Sequence, residues 1–226
     1  DLLSQAKVLA SYRNEFSYLT ESLWVRDQLA SLGHRPEVIS PGVDRQVFRE
    51  LKNIKRRDDR LLAIGREHYL KNLPLTVEGW RKMRGKANLW LFGREPHLGL
   101  KYRVRYFEKP SDREVAKLYN QASVFVLTSE HEGFGLPLLE AMACGCPVVA
   151  TNADGNMEFS KDGENVLLVK KGDPIALAKA LDRLFTDKGL RKRLAKGGLR
   201  TVRRYEWEKS IEKLEKFYLD LASPSF

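Results

Sequence analysis

With 226 residues, 42% of them hydrophobic, the chain is long enough for a full domain with attached pieces and apolar enough for a real core. No apolar stretch approaches the ~18 residues of a membrane span, and two cysteines so close together, Cys144 and Cys146, exclude a disulfide-stapled scaffold and are too few ligands for a metal site. The net charge of +10, from 40 Lys and Arg against 30 Asp and Glu, admits nucleic acid, an anionic membrane surface or phosphate-bearing substrates, and the lack of any aromatic-interleaved basic motif argues against the first.

The N-terminus, DLLSQAKVLA, has no basic region leading into an apolar run, so no signal peptide is read there. The lack of a starting Met points to a processed or excised piece of a longer protein. Residues 6–11 (AKVLAS) read as a short strand. Residues 14–32 read as a helix with Phe16, Leu19 and Leu23 on one face and Gly33 as its C′ residue. Residues 37–40 are extended, Pro41-Gly42 forces a turn, and the charged, aperiodic run at 52–60 reads as a linker.

Apolar runs and helical periods then alternate. Strands are predicted at 61–65 (LLAIG), 88–92 (NLWLF, closed by Gly93), 102–107 (YRVRYF), 123–127 (SVFVL), 147–151 (PVVAT) and 166–169 (VLLV). Helices are predicted on Leu73, Val77 and Trp80; from the Ser111–Glu114 capping box through Tyr119; from Pro137 to Gly145; and on Leu177, Leu181 and Leu184 behind an Asp173-Pro174 cap. A last helix carries Trp207, Ile211, Leu214, Tyr218 and Leu221 on one face. The densest basic runs, Lys55-Arg56-Arg57 and 190–204, read as solvated surface, with anionic lipid as the functional alternative. The two cysteines read as small semi-buried residues at a helix end, usage that suits a reducing compartment. Fully apolar strands alternating with helices predict an α/β, Rossmann-like parallel sheet with helices on both faces, and such sheets bind ligands at the carboxyl ends of their strands.

After SVFVL the sequence runs TSEHEGFGLPLLE, residues 128–140. This is a strand, a turn with Gly133 and Gly135, and a helix start. Its glycines allow close backbone approach, and its free amides favour a phosphate or a hydroxyl-rich anion. Glu132 and Glu140 lie two helical turns apart and suit vicinal sugar hydroxyls. A Gly-Arg pair directly after LLAIG places Arg66 at the same end of the sheet, with Lys71 five residues on. His131 has no histidine four residues later, and His34, His68 and His97 are scattered, so no metal site is read. EGFGLPL has Leu138 where a dinucleotide-binding fingerprint needs its third glycine, which argues against a dehydrogenase.

The Glu132–Glu140 E-x7-E motif followed by AMACGCPVVAT, together with VISPGVDRQVF, AIGREHYLKN, YNQASVFVLTS and DGENVLLVKKGDPIALAKAL, resembles the family-4 retaining glycosyltransferases of the GT-B fold from about Pro36 onward. The resemblance implies that Glu132 binds hydroxyls of the donor sugar and Glu140 the nucleotide ribose. It places amides of Gly133, Phe134, Gly135 and Leu136 on sugar and diphosphate, Arg66 and Lys71 on the leaving diphosphate, and the base near Phe107 and Glu108. It implies no cofactor beyond a nucleotide-diphosphate-sugar donor substrate, front-face attack without a protein nucleophile, and a glycan or lipid-linked acceptor. With no D-x-D in the sequence, transfer is expected to be metal-independent.

In these terms residues 1–45 are the tail of an N-terminal domain and a linker, residues 46–204 the nucleotide-sugar-binding domain, and residues 205–226 a C-terminal crossover helix. The rest of the N-terminal domain would be missing, and the last helix's apolar stripe is expected to be partly exposed. The expected location is cytoplasmic, with peripheral contact at the inner membrane surface as the lipid-binding variant, and no nucleic-acid partner. Asp154-Gly155-Asn156 and Glu158 stand where the family often has paired glycines, a pattern that resembles surface-polysaccharide transferases and hints at a dTDP-sugar. The alternatives are a non-catalytic nucleotide-sugar-binding subunit completed by another chain, and a basic adaptor for membranes or nucleic acid.

Overall fold

The computed structural model describes residues 16–223. The centre is a six-stranded, all-parallel sheet of β3 (Arg60–Gly65), β4 (Asn88–Gly93), β5 (Arg105–Glu108), β6 (Val124–Leu127), β7 (Val148–Thr151) and β8 (Leu167–Val169), in the order β5-β4-β3-β6-β7-β8. Side chains alternate across it. Leu62, Trp90, Phe92, Phe125, Leu127 and Val148 point to one face, under α4 (Asp112–Gln121) and α5 (Leu136–Ala143). Leu61, Ala63, Leu89, Leu91, Val124 and Val149 point to the other, under α2 (Leu73–Lys82), α6 (Pro174–Thr186) and α7 (Lys188–Val202). A short α3 (His97–Tyr102) leads into β5. The predicted parallel sheet with helices on both faces is the observed architecture.

The caps read from sequence form as expected. Ser111 and Glu114 close a capping box on α4, Asp173 accepts from the amides of Ile175 and Ala176 at the start of α6, and Gly145 ends α5 at φ +64°. Gly33, at φ +89°, follows the C-cap of α1 (Leu23–Ser31).

Four expectations need correction. The helix expected over 14–32 starts only at Leu23: Ser22, buried, accepts from the amide of Val25, while Leu19–Thr20 forms β1, paired in parallel with β2 (Glu37–Val38). A local cap thus overrides the helical spacing of Phe16 and Leu19. The strand expected at 102–107 begins at Arg105, because residues 97–102 wind into α3, which closes on Arg103 at φ +56°. The basic run at 190–204 is not a plain solvated face: it includes most of α7, which buries Leu190, Leu194 and Val202, and Arg191 donates to the carbonyls of Leu184 and Phe185 and pairs with Asp58 at 2.8 Å. The run at 52–60 is strapped to the domain, because the Arg56 guanidinium donates to the carbonyls of Tyr119, Ala122 and Cys144. The strand expected at 6–11 lies outside the described residues.

The chain enters and leaves this body at one place. Val43 N–H donates to the Tyr205 carbonyl at 2.8 Å, Val43 bridges Glu206, and Ser210 donates to the Ser40 carbonyl. A Cβ on Gly42 would lie 2.3 Å from the Cα of Trp207, so only glycine permits this crossing. Beyond it, α8 (Trp207–Ala222) has no buried residue and exposes Trp207, Ile211, Tyr218 and Leu221, as expected of its stripe. No described helix is long and apolar enough to cross a membrane.

Candidate active site at the switch point of the sheet

β3 and β6 are neighbours, and the connections leaving their carboxyl ends run in opposite directions across the sheet. A crevice opens where strand order reverses in this way, and it is where open parallel sheets hold ligands. Two loops meet there. After β3, a 3-10 turn (Tyr69–Lys71) ends on Asn72, left-handed at φ 42°, whose side chain accepts from Leu75 N–H and caps α2. After β6 comes the segment from Thr128 to Gly135. They are stitched together: Glu130 N–H donates to the Leu70 carbonyl, the Asn72 amide donates to Glu130, and the hydroxyls of Thr76 and Thr128 bond at 2.7 Å.

This stitching holds Lys71 Nζ 2.6 Å from Glu132 Oε1. The Glu132 side chain is only 8% exposed and that of Lys71 19%, and Ser129 Oγ donates to the same carboxylate oxygen. Thr151 at the end of β7 in turn donates to the Ser129 carbonyl. A buried carboxylate is thus held by one ammonium and one hydroxyl, each anchored to a different strand end.

The glycine turn follows. Gly135 sits at φ +94° and N-caps α5 with no side-chain hydrogen bond, so the helix's first amides have no side-chain cap. Phe134 packs its ring on Phe159 and Tyr205, and Leu136 packs partly on the core. Gly155 N–H donates to the Glu132 carbonyl, and a Cβ on Gly155 would lie 1.9 Å from the Gly133 carbonyl oxygen. Gly155→Ala is therefore expected to displace the turn and weaken binding of a phosphate-bearing ligand by about tenfold or more, with far-UV circular dichroism unchanged. Unaltered affinity by calorimetry would show that the turn tolerates the shift.

Glu140 lies on α5, two helical turns beyond Gly133. Burial, with Asp112 adding to it, raises its pKa to about 7 against the opposing hydrogen bond from Tyr119 Oη at 3.4 Å. Arg66, the first residue after β3, is exposed and forms no ion pair or hydrogen bond among the described residues. Phe107 and Glu108 end β5 two strands away; Gly65, Gly93 and Glu108 lie in register, so Glu108 is roughly 10 Å across the same sheet end. Phe107 packs on Trp90 at 5.0 Å between ring centroids and is part of the core's edge. The structure thus brings Lys71 and Glu132 into contact, sets Arg66 and the glycine turn at the same sheet end, and leaves Phe107 and Glu108 on the flank.

Other site neighbours lie outside the E-x7-E motif. Glu21, directly after β1, occupies the space where a Cβ on Gly133 would be, 1.7 Å from its Oε1, and Trp24 stacks on His131. Glu158 holds this segment down, accepting from Leu23 N–H at 2.9 Å and from Ser40 Oγ at 3.1 Å, so this glutamate is spent on structure. Asn156 is buried, bonded to Thr151 and Ala153. His131 and Lys171 both bind Asp154, the partner of Glu132 in an isolated bridge. His97 lies beside Glu67 and Glu95, residues far apart in sequence, and Lys101 pairs with Glu67 in the same exposed cluster. Cys144 and Cys146 are fully rather than half buried, and burial pushes both thiols up.

Known proteins share this fold and part of this sequence. Residues 44–201 match the sequence model of the family described as glycosyl transferases group 1. A D-inositol 3-phosphate glycosyltransferase of Frankia alni is 30% identical over 221 residues, covering 84% of this chain and 54% of its own. One from Salinispora tropica is 37% identical over 121 residues, covering 54% of this chain and 25% of its own. The chain thus spans about half or less of these curated relatives. In structure, it resembles sucrose-phosphate synthase of Thermosynechococcus elongatus with a TM-score of 0.87 at 24% identity, covering 98% of this chain and 62% of that one. It resembles Anabaena HepE, solved with UDP and glucose, with a TM-score of 0.83 at 19% identity, covering 96% and 67%.

Proposed function

The chain belongs to the group 1 glycosyl transferases, and we propose that it is the donor-binding part of a retaining, metal-independent transferase that moves a sugar from a nucleotide diphosphate to a glycan or lipid-linked acceptor. The observation that carries this reading is the Lys71–Glu132 pair, held at the switch point beside an open helix start. An ammonium and a carboxylate in one slot match the two ends of a sugar diphosphate: Glu132 accepts from sugar hydroxyls, while Lys71 and the unpartnered Arg66 meet the phosphates. Amides from Gly133 to Leu136 add donors aimed at the same charge. Glu140 receives the ribose hydroxyls. The base lies toward Glu108.

The reaction breaks the bond between the anomeric carbon and the diphosphate oxygen, which departs with the electron pair. The acceptor oxygen attacks from the same face, and its proton passes to the departing phosphate. The charge on the leaving group grows in the transition state, so Arg66, Lys71 and the α5 amides act where they lower the barrier. Glu21, beside Gly133, is placed to meet a sugar hydroxyl as well. The D-inositol 3-phosphate transferases among the relatives and the UDP-bound HepE make sugar nucleotides the ligand class to test.

The test is a thermal-shift panel of UDP-, GDP-, ADP- and dTDP-sugars. One of these is expected to raise Tm by several degrees, with Arg66→Ala and Glu140→Ala each reducing the shift by more than half. No shift with any donor at millimolar concentration, confirmed by calorimetry, would refute donor binding.

A further inference from the structure

A basic groove among the described residues runs along β5 beside the crevice, from the amino ends of β3 and β5 to Phe107 and Glu108. It is a space of about 880 Å³ between the edge of the sheet, α4 and the segment before β3, lined by Lys55, Arg57, Arg60, Arg105 and Lys117. Arg60 and Arg105 begin β3 and β5, so Arg105 sits roughly 10 Å along its strand from Glu108.

Two of its cations are held in place by aromatic rings. The Arg60 guanidinium lies 3.8 Å from the centroid of Trp90 and donates to Gln121 at 3.0 Å. Arg105 stacks 4.8 Å from Trp90 and 4.9 Å from Phe107. Stacked guanidiniums are pinned flat and keep their edge N–H groups for a ligand. The acids of the neighbouring segment are engaged elsewhere: Asp58 with Arg191 and Lys188, Asp59 with the Asn88 amide. Of the carboxylates on the wall, Glu114 is bound to Ser111 and Glu108 to Lys109. Lys55, Arg57 and Arg105 have no carboxylate within ion-pair distance among the described residues. Burial first, then Arg57 and Arg105, lowers the Arg60 pKa against the opposing pull of Asp59.

We propose that this groove is a second anion site that binds a phosphate-bearing group, separate from the diphosphate of the donor. The aromatic faces are already covered by the guanidiniums, so a stacked base is disfavoured and a compact polyanion favoured. The same chemistry is offered by a free phosphorylated compound and by the headgroup of an anionic lipid.

The probe is inorganic pyrophosphate, titrated by calorimetry into the full chain carrying Arg66→Ala, so that the crevice contributes little. Salt-sensitive binding is expected to persist in this background and to weaken about tenfold when the exposed pair Arg57→Gln and Arg105→Gln is added, with the far-UV spectrum unchanged. An unchanged titration in the triple variant, or no binding once Arg66 is gone, overturns the groove. Failure of either arm leaves the sugar-nucleotide panel to be judged on Arg66→Ala and Glu140→Ala, residues the groove does not include. Flotation with phosphatidylcholine vesicles, with and without phosphatidylglycerol, separates the sources. Capture by anionic vesicles that R57Q/R105Q abolishes assigns a lipid headgroup, and pyrophosphate binding without capture assigns a free phosphorylated compound.

Discussion

Replacing Lys71 with alanine is expected to abolish donor binding and to lower stability at neutral pH by about 3–5 kcal/mol, as measured by calorimetry and urea unfolding. The size of the stability loss follows from what is left behind. Glu132 is 8% exposed, and without the ammonium 2.6 Å away it keeps only the Ser129 hydroxyl on that oxygen. An uncompensated charge in such a slot either stays at high cost or takes up a proton.

Pairing the change with Glu132→Gln removes the orphaned charge, so the double variant should regain much of the stability and none of the donor affinity. Lys71→Arg keeps the charge but puts a planar fork where a compact ammonium fits, and is expected to fall between wild type and alanine in both measurements. A Lys71→Ala chain that bound its sugar nucleotide as tightly as wild type would remove the central member of the proposed site.

Donor affinity is expected to climb about tenfold per pH unit up to pH near 7 and to level off above it. The free protein holds Glu140 with a pKa of about 7, and ribose hydroxyls donate to a carboxylate rather than to a protonated acid. Below pH 7 the donor must therefore expel a proton as it binds. Calorimetry in buffers of different ionisation enthalpy reads this release directly, and Glu140→Gln should flatten the profile.

The same group shapes stability with the opposite slope. Its folded pKa lies above the ordinary 4.5, so the folded chain holds the extra proton between pH 4.5 and about 7. The stabilisation is full below 4.5 and is lost as pH rises through 7, by up to about 3 kcal/mol before residual solvent contact at this partly exposed residue reduces it. A pH-independent affinity would place the ribose elsewhere.

The sheet was legible because each strand is a short apolar run bounded by a glycine, a proline or a cap, and because caps such as Ser111–Glu114 and Asp173 are local signals. Elements decided at a distance were not legible. Residues 97–102 carry too short a period to announce a helix. In α7, Gly197 weakens any helical reading, yet its missing side chain lets the helix pack on the Glu164 carbonyl, only 1.9 Å from where a Cβ would lie. Leu19–Thr20 pairs with a strand seventeen residues on.

The site divides in the same way. Glu132, Gly133, Gly135 and Glu140 stand in one motif, and Arg66 and Lys71 follow one strand. Glu21 reaches the turn only through packing, and no spacing points to it. Arg56 looked like part of a solvated run because its partners are backbone carbonyls, which leave no trace in the pattern of side chains.

At the joint of Val43 and Tyr205 the described segments before residue 43 and after residue 206 are fastened side by side. Glu21 comes from the first of these segments and Gly133 from the domain body, so Glu21 reaches the glycine turn without any strand pairing of the six-stranded sheet, held there by the Glu158 hydrogen bonds and the Trp24–His131 stack.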